Sequence, residues 1–563
     1  MALEDAKIGD YTVSFIRKSV VKATGPIPKP HILTLSNLDL LSGRFPVTYF
    51  YVYRQAKHND SSGSITGELR KSLAKCLSHF YPFAGRIIPN AETNEPEIVC
   101  DNTGALFLEA QASTCLKELD FYNLNKCLEG KLVPINQEFP VQVQLTNYKC
   151  GGIFITFTFD HALGDASSFS KFLLMWSEIA RKKPLSFSPD HRRYLLSARN
   201  PPIYNSSFDE SFISCSLHDI HNISTPRTLL KRLYYVDASS IDRLQKLVSL
   251  DGTKRTKIEA FSAYIWKIMV KAIDNGHKKC KMGWLVDGRT RICGNNEKAL
   301  ENYIGNALSI AVGEASVNEI EQASMSDVAK NVHNAISKVT SAVHFLDLID
   351  WIEWHKPGLM LSKVVLGQGG PAIVVSSGRR FPVAEVDFGF GSPVLGTVYS
   401  TIKRLGVGYI NQRPGAKGDG SWTISAILWP EMIEALESDI ENVHLPQSCA
   451  AQFETHLRFD RTVSGTLDYG QISDISGVAA QELFLWFSVK GIRVDNPSSG
   501  LIYFDVGVVS KQFSLSFFET PRDCTITNDD ELPENLVLFD NRGRIVESRV
   551  PLFSVWAILQ RVE

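Results

Sequence analysis

His161 and Asp165, four residues apart, are the pair in this sequence whose side-chain types could move a proton. Imidazole is the side chain whose unperturbed pKa lies nearest neutrality, so it can take a proton from an attacking hydroxyl or amine at neutral pH. Before the pair, residues 152–159 are apolar, β-branched and aromatic and of strand length, which puts His161 at a strand's end. After it, Phe169, Phe172, Leu173 and Trp176 follow the i, i+3, i+4, i+7 spacing of a helix. A histidine at such a turn can be held rigidly and still face a cavity. It can equally be a strand-end residue satisfied by backbone, and one histidine and one aspartate at a fixed spacing recur by chance. The rest of the chain has to decide.

The chain has 563 residues, too many for one ordinary core, so two or three domains are expected. A hydrophobic content of 44% and a charged content of 21% describe an ordinary globular composition. The formal charge of -2 gives no electrostatic reason for a nucleic-acid or anionic-membrane partner and points to a small-molecule enzyme or binding protein. The first residues include Glu4 and Asp5 with no apolar run after them, unlike a secretory signal. No apolar run approaches the roughly 20 residues that span a bilayer. A soluble cytoplasmic protein is expected. Ten cysteines are scattered without a CxxC pair or zinc spacing, so reduced thiols and no metal are expected.

The elements that would carry the site follow in order. A strand is predicted at 47–54, and a helix at 65–79 whose Ile65, Leu69, Leu73 and Leu77 share a face. Tyr81-Pro82-Phe83-Ala84-Gly85-Arg86 stops that helix. Strands at 97–100 and 104–109, a helical stretch at 111–120 and an alternating strand at 141–146 precede the His161 strand. Residues 184–226, rich in Pro, Ser and Asn, read as a long crossover. Beyond it come a strand at 230–236 and helices at 239–249 and 260–272. The apolar stripe of the latter (Phe261, Tyr264, Ile265, Ile268) reads as core rather than a cofactor box. Strands at 284–287, after Asn306, and at 372–376, 395–400 and 422–428 complete this half, with a helix at 325–338 and a turn-rich segment at 386–393.

Leu35-Ser36-Asn37-Leu38-Asp39, Tyr81 to Arg86, Cys150-Gly151-Gly152, His161 with Asp165, Asp287-Gly288-Arg289-Thr290-Arg291, Tyr303-Ile304-Gly305-Asn306 and Asp387-Phe388-Gly389-Phe390-Gly391 occur in this order. Together they resemble the plant BAHD acyltransferase family, which moves acyl groups from coenzyme A thioesters to alcohols or amines, over about residues 8–445. The resemblance implies an α/β fold of two similar chloramphenicol-acetyltransferase-like domains with mostly antiparallel sheets. These would be 1–183 and 227–446, joined by the crossover at 184–226, with an interdomain channel and His161 near its midpoint. It implies His161 as general base, Asp165 as a structural residue turned toward Arg289, and Asp387 as a scaffold residue away from the chemistry. Lys254, Thr256 and Lys257 would contact the nucleotide end of coenzyme A, although lysines before a helix are also an ordinary solvated start. Ser376 and Ser377 would line the thioester channel. No tightly bound cofactor and no metal are implied. Acyl-CoA would be the cosubstrate and a small molecule the acceptor, with the protein a monomer.

Three positions depart from the family pattern: Ala166 replaces a glycine, and Gly378 and Phe390 replace tryptophans. If either indole N–H bonds the developing oxyanion, its loss would cost about 10²- to 10³-fold in rate unless Ser376 or Ser377 substitutes. Gly378 alternatively implies a roomier acyl side. The chain is therefore read as an acyl-CoA-dependent O-acyltransferase of plant specialised metabolism, or as a noncatalytic member of that fold that binds an acyl substrate or assists a partner.

Residues 456–524 resemble the later half of a plant domain of unknown function 538. The match rests on Ser464-Gly465-Thr466-Leu467, residues 483–489 and 502–508, Ser510 and Phe513. It implies a β-rich partial domain within 447–563, with alternation at 492–495 and 501–508 across the turn at 496–500. A half-sheet exposes unpaired edges, so this stretch is either an appended lipid- or protein-interaction module or a joining of adjacent genes in the conceptual translation.

Overall fold

The computed structural model describes residues 11–439 apart from 55–61, 135, 137, 224–227, 251, 274–275, 293–298 and 401–404, and five strand segments between 447 and 551. Two mixed sheets carry the first unit. Their strands, in chain order, are β1 (Val13–Val21), β2 (Pro46–Tyr53), β3 (Ala105–Ala112), β4 (Val141–Asn147), β5 (Ile153–Asp160), β6 (Leu230–Val236), β7 (Lys279–Asp287), β8 (Leu308–Ser316), β9 (Ala372–Ser377), β10 (Leu395–Tyr399), β11 (Gly408–Pro414) and β12 (Trp422–Leu428). The first sheet has the order β1-β3-β4-β5-β2-β10, and the second β8-β7-β9-β11-β12-β6, ending on Gln447–Ser448. Pairing is antiparallel except for β3 with β4, β7 with β9 and β9 with β11.

The apolar stripes expected of the helices are the faces that become buried. The helix α1 (Asn37–Ser42), which was not expected, buries Leu38 and Leu40, and on α2 (Ser62–His79) Leu69, Leu73 and Leu77 are core residues. On α3 (Ala166–Ala180) they are Phe169, Phe172, Leu173 and Trp176, and the Trp176 indole donates to Ser72 Oγ of α2 at 2.9 Å. The stripe of α4 (Lys257–Lys271) packs on the second sheet, where Phe261 meets Trp422 edge-on at 5.7 Å. It is core, as its pattern predicts. Among the described residues no helix is long and apolar enough to cross a membrane.

Two local expectations change, and two further elements were not expected. The helix predicted at 111–120 is strand through Ala112, because β1 pairs with β3 from Val13↔Ala112 to Val21↔Ala105, and only Leu116–Glu118 forms a 3-10 turn. Strand β11 and the helix Ala342–Trp354 have no counterpart in the sequence reading. Asn411-Gln412-Arg413 looks like loop, and only burial between neighbouring strands makes it β. Strand β10, expected in the second half's sheet, instead extends the first sheet, with Leu395↔Val52 through Tyr399↔Thr48. Alternating tyrosines of β2 explain the transfer. Tyr49 stacks on Phe381 at 4.7 Å, while the Tyr51 and Tyr53 hydroxyls each donate at 2.9 Å, to Pro382 O and Val386 O.

The crossover is ordered by short 3-10 turns at Arg193–Leu196 and Ser206–Glu210 and tied to the helix Ala342–Trp354, whose buried Asp350 accepts from Arg199 Nε at 2.6 Å. The second unit is described only as two antiparallel strand pairs, Phe487–Arg493 with Tyr503–Val508 and Asn535–Phe539 with Ile545–Pro551. The predicted turn at 496–500 and the resemblance segment at 464–467 lie outside the described residues.

Candidate active site

Strand β5 ends at Asp160, whose carboxylate caps the turn by accepting from Ala162 N at 3.0 Å and pairs with Arg44 at 2.9 Å. His161 follows at once. Its N–H donates to Phe45 O at 2.9 Å, its ring lies 4.5 Å from the Phe45 ring, and the residue is half-buried. Its carbonyl accepts from Gly164 N at 3.1 Å and from Asn306 Nδ2 at 2.9 Å. The backbone that aims the imidazole is therefore held from Phe45, just before β2, on one side and from the second half of the chain on the other.

Asp165 is fully buried at the N-cap of α3 and accepts from Ser167 N at 3.0 Å and Ser168 N at 3.1 Å. Its two oxygens also meet Arg289 Nη1 at 2.8 Å and Nη2 at 3.0 Å, and Oδ2 accepts from Ala307 N at 3.0 Å. Burial pushes this carboxyl up, but the Arg289 charge and hydrogen bonds, with the Ala307 and Ser168 N–H groups, outweigh it and hold it below the usual range. Burial pulls the Arg289 guanidinium down, and Asp165 and Asp287 more than restore it. Arg289 also donates to Gly305 O at 2.8 Å, and Ser168 Oγ bridges Gly305 O and N.

A second buried pair flanks the turn on its other side, and the sequence reading assigned it no role. Asp39 of α1 accepts from Asn306 N at 2.7 Å, from Asn306 Nδ2 at 2.9 Å and from Arg193 Nη1 at 3.4 Å. Arg193 Nη2 donates to Leu163 O at 2.9 Å. Asp39 and Asn306 sit within recognised motifs, which was the available signal. Arg193 comes from a crossover that carries no pattern. Gly305 is where these parts converge: an added Cβ would overlap the Arg193 guanidinium and come 2.7 Å from the Tyr303 hydroxyl.

The structure thus brings His161, Asp165 and Arg289 together. The other sequence-predicted positions lie elsewhere. Asp387 accepts from Gly389 N at 2.8 Å and Gly391 N at 3.0 Å and pairs with Arg181 at 3.0 Å. Thr256 caps α4, its hydroxyl donating to Glu259 Oε2 at 2.8 Å, Lys257 Nζ lies 2.7 Å from Asp242, and Lys254 is exposed. Ser377 Oγ donates to Gln412 Oε1 at 3.0 Å, whereas strand alternation turns the buried Ser376 to the opposite face of β9. Among the described residues no cluster of His, Cys, Asp and Glu could hold a metal.

A family model described as the transferase family matches residues 11–443. The chain belongs to this family, the BAHD acyltransferases. It is 30% identical over 422 residues to anthranilate N-benzoyltransferase protein 1 of Dianthus caryophyllus, covering 70% of this chain and 92% of that one. To the omega-hydroxypalmitate O-feruloyl transferase of Arabidopsis thaliana it is 27% identical, over 64% of this chain and 79% of the relative. Vinorine synthase shares the fold at a TM-score of 0.59 and 18% identity, covering 78% of this chain and 100% of that one. F. graminearum TRI101, crystallised with coenzyme A and T-2 mycotoxin, gives 0.59 at 15% identity over 73% and 98%. A second model, of the protein of unknown function DUF538, matches residues 427–519 and so begins inside β12.

Both tryptophan replacements of this BAHD acyltransferase look different in three dimensions. Phe390 packs edge-on against Tyr53 at 4.6 Å, where β2 pairs with the start of β5 (Tyr53↔Ile153). His161 lies past the other end of that ladder, where Pro46 pairs with Asp160. Seven residues of strand separate the two ends, about 23 Å, which sets residue 390 far from the His161 turn. Gly378 does not open the acyl side: an added Cβ would lie 2.7 Å from Arg413 Cδ, so buried arginine fills that space.

Proposed function

We propose that this BAHD acyltransferase moves an acyl group from a coenzyme A thioester to a hydroxyl, or alternatively an amine, of a small plant metabolite, with His161 as general base. The observation that carries the reading is the half-buried imidazole at the end of β5 on a turn locked from both halves of the chain. His161 takes the acceptor's proton as its oxygen attacks the thioester carbonyl. The tetrahedral oxyanion collapses, the C–S bond breaks, and the imidazolium returns the proton to the departing thiolate. A positioned base contributes about 10²- to 10⁴-fold. Asp165 and Arg289 act as positioning residues. Ser376, turned away from α4, and Ser377 are assigned to the thioester channel, and exposed Lys254, with Thr256 and Lys257, to the nucleotide end of coenzyme A.

The relatives' names, a benzoyl transferase and a feruloyl transferase, favour aromatic acyl-CoA donors. The noncatalytic reading draws on two missing indoles, of which the one at 390 belongs to the end of the β2 ladder remote from His161. Thiol release over a panel of acyl-CoAs and acceptors tests the assignment. His161→Ala is expected to lower kcat at least about 10²-fold with the fold intact by circular dichroism, and equal rates would defeat the base role.

A further inference from the structure

Strand β11 hides an unusual cation. Its register sets Asn411 opposite Ser425 and beside Ser376, and Arg413 opposite Thr423. The neighbouring positions Pro414 and Gln412 stand opposite Trp422 and Ile424, on the side that packs against α4. Alternation therefore turns Asn411 and Arg413 the other way, toward the first sheet. Arg413 is 1% exposed, and its guanidinium lies 5.2 Å from the Phe381 ring and 5.9 Å from that of Tyr49. Its Nη1 donates to Gln412 O at 2.7 Å, yet among the described residues no carboxylate pairs with it. Its Nε has no acceptor, and neither does Nδ2 of Asn411, which is 4% exposed. Every other fully buried arginine at the site has an aspartate: Arg289 has Asp165 and Arg193 has Asp39. The further side-chain bond of Arg413 is to the neutral Tyr49 hydroxyl, and burying a guanidinium without a counter-charge costs several kcal/mol, so an anionic ligand would supply the charge that the described residues do not.

Its place in the fold says which anion. Phe45 with His161, Val47 with Phe159 and Tyr49 with Phe157 share one face of the first sheet. Arg413 thus stands over Tyr49 four residues along β2 from the imidazole, about 13 Å. That is within the length of an acyl chain or an acceptor whose reacting atom sits at His161. Two adjacent donor groups on one strand face, a guanidinium fork and a primary amide, match the two oxygens of a carboxylate. Gly378 leaves room for the arginine.

We propose that Arg413, with Asn411 beside it, binds a carboxylate on one of the two substrates, making this a transferase for an anionic acyl group or an anionic acceptor. The inference rests on the acyl-transfer reading and names its substrate class. It is tested on the full chain by equilibrium binding, with turnover measured separately. One arm compares glutaryl- and suberyl-CoA with valeryl- and octanoyl-CoA; the other compares hydroxybenzoates and hydroxy fatty acids with their methyl esters. In one arm the acid is expected to bind roughly 30-fold or more tighter than its neutral partner, and Arg413→Gln is expected to abolish that ratio. Should Arg413→Gln not fold, Gly378→Ala, which pushes the guanidinium aside, is expected to reduce the ratio. Equal binding of acid and neutral forms in both arms by the unaltered protein overturns the proposal, as does a preference that survives loss of Arg413. Carboxylate-selective binding without any thiol release would instead sink the transfer reading and leave the Arg413 site standing.

Discussion

Asp165 shows how a catalytic-looking residue can be structural. Both of its oxygens are engaged by Arg289 and by backbone N–H groups, so its charge is spent on the turn beneath His161. Asp165→Asn leaves the fully buried Arg289 without its principal partner and is expected to cost about 3–5 kcal/mol, read as a lower denaturant midpoint. The sign of the pH effect follows from the direction of the shift. A carboxyl held below its unfolded value contributes stability that is complete above the ordinary carboxylate range and is lost as pH falls through the folded value. Asp165 is therefore expected to add no slope to stability between neutral and mildly acidic pH. A slope there that vanishes in Asp165→Asn would contradict this.

At the scale of elements, β2 organises the molecule. One of its faces presents Tyr49, Tyr51 and Tyr53 to residues 381–386, and its edge takes up β10. Burial pushes the Tyr51 and Tyr53 phenols well above their ordinary value, so both hydroxyls stay protonated as donors. Phe390 belongs to this clamp, at the end of the ladder remote from His161. Phe390→Trp, which restores the family's usual ring, is accordingly expected to change kcat/KM by less than about threefold, since a true oxyanion donor would be worth about 10²-fold or more. A gain of that size in thiol-release kinetics would place residue 390 at the chemistry after all.

Across the whole molecule, the two sheets are joined by polar ties buried around the His161 turn. Asn306 reaches Asp39 and His161, Arg289 reaches Asp165, and β10 crosses over bodily. The same burial sets a pH limit on the fold. His191, whose ring bonds His79 O at 2.8 Å, is lowered to about 4, burial outweighing that bond, and His344 is likewise lowered to about 4 by burial. Unfolded imidazoles titrate near 6.5, so the stability due to keeping these rings neutral is complete above about pH 6.5. It is lost as pH falls toward the folded values, on the order of 3 kcal/mol for His191. Thermal unfolding is expected to show Tm falling through this window, with His191→Gln flattening part of the slope. A Tm that stays level from pH 7 to 4.5 would refute it.

Patterns that depend on near neighbours in the chain were legible in the sequence. The run before His161, the stripe of α3 and the ordered motifs announced an acyltransferase fold and its histidine, because strand composition and helical spacing are local rules. Contacts between distant residues were not legible. Arg193 for Asp39, Asn306 for the His161 carbonyl, β10 on the first sheet and Arg413 in the space beside Gly378 each join positions far apart in sequence. Which donor meets which acceptor, and which cation is left without one, is decided only when packing excludes water and each buried polar group must find its partner.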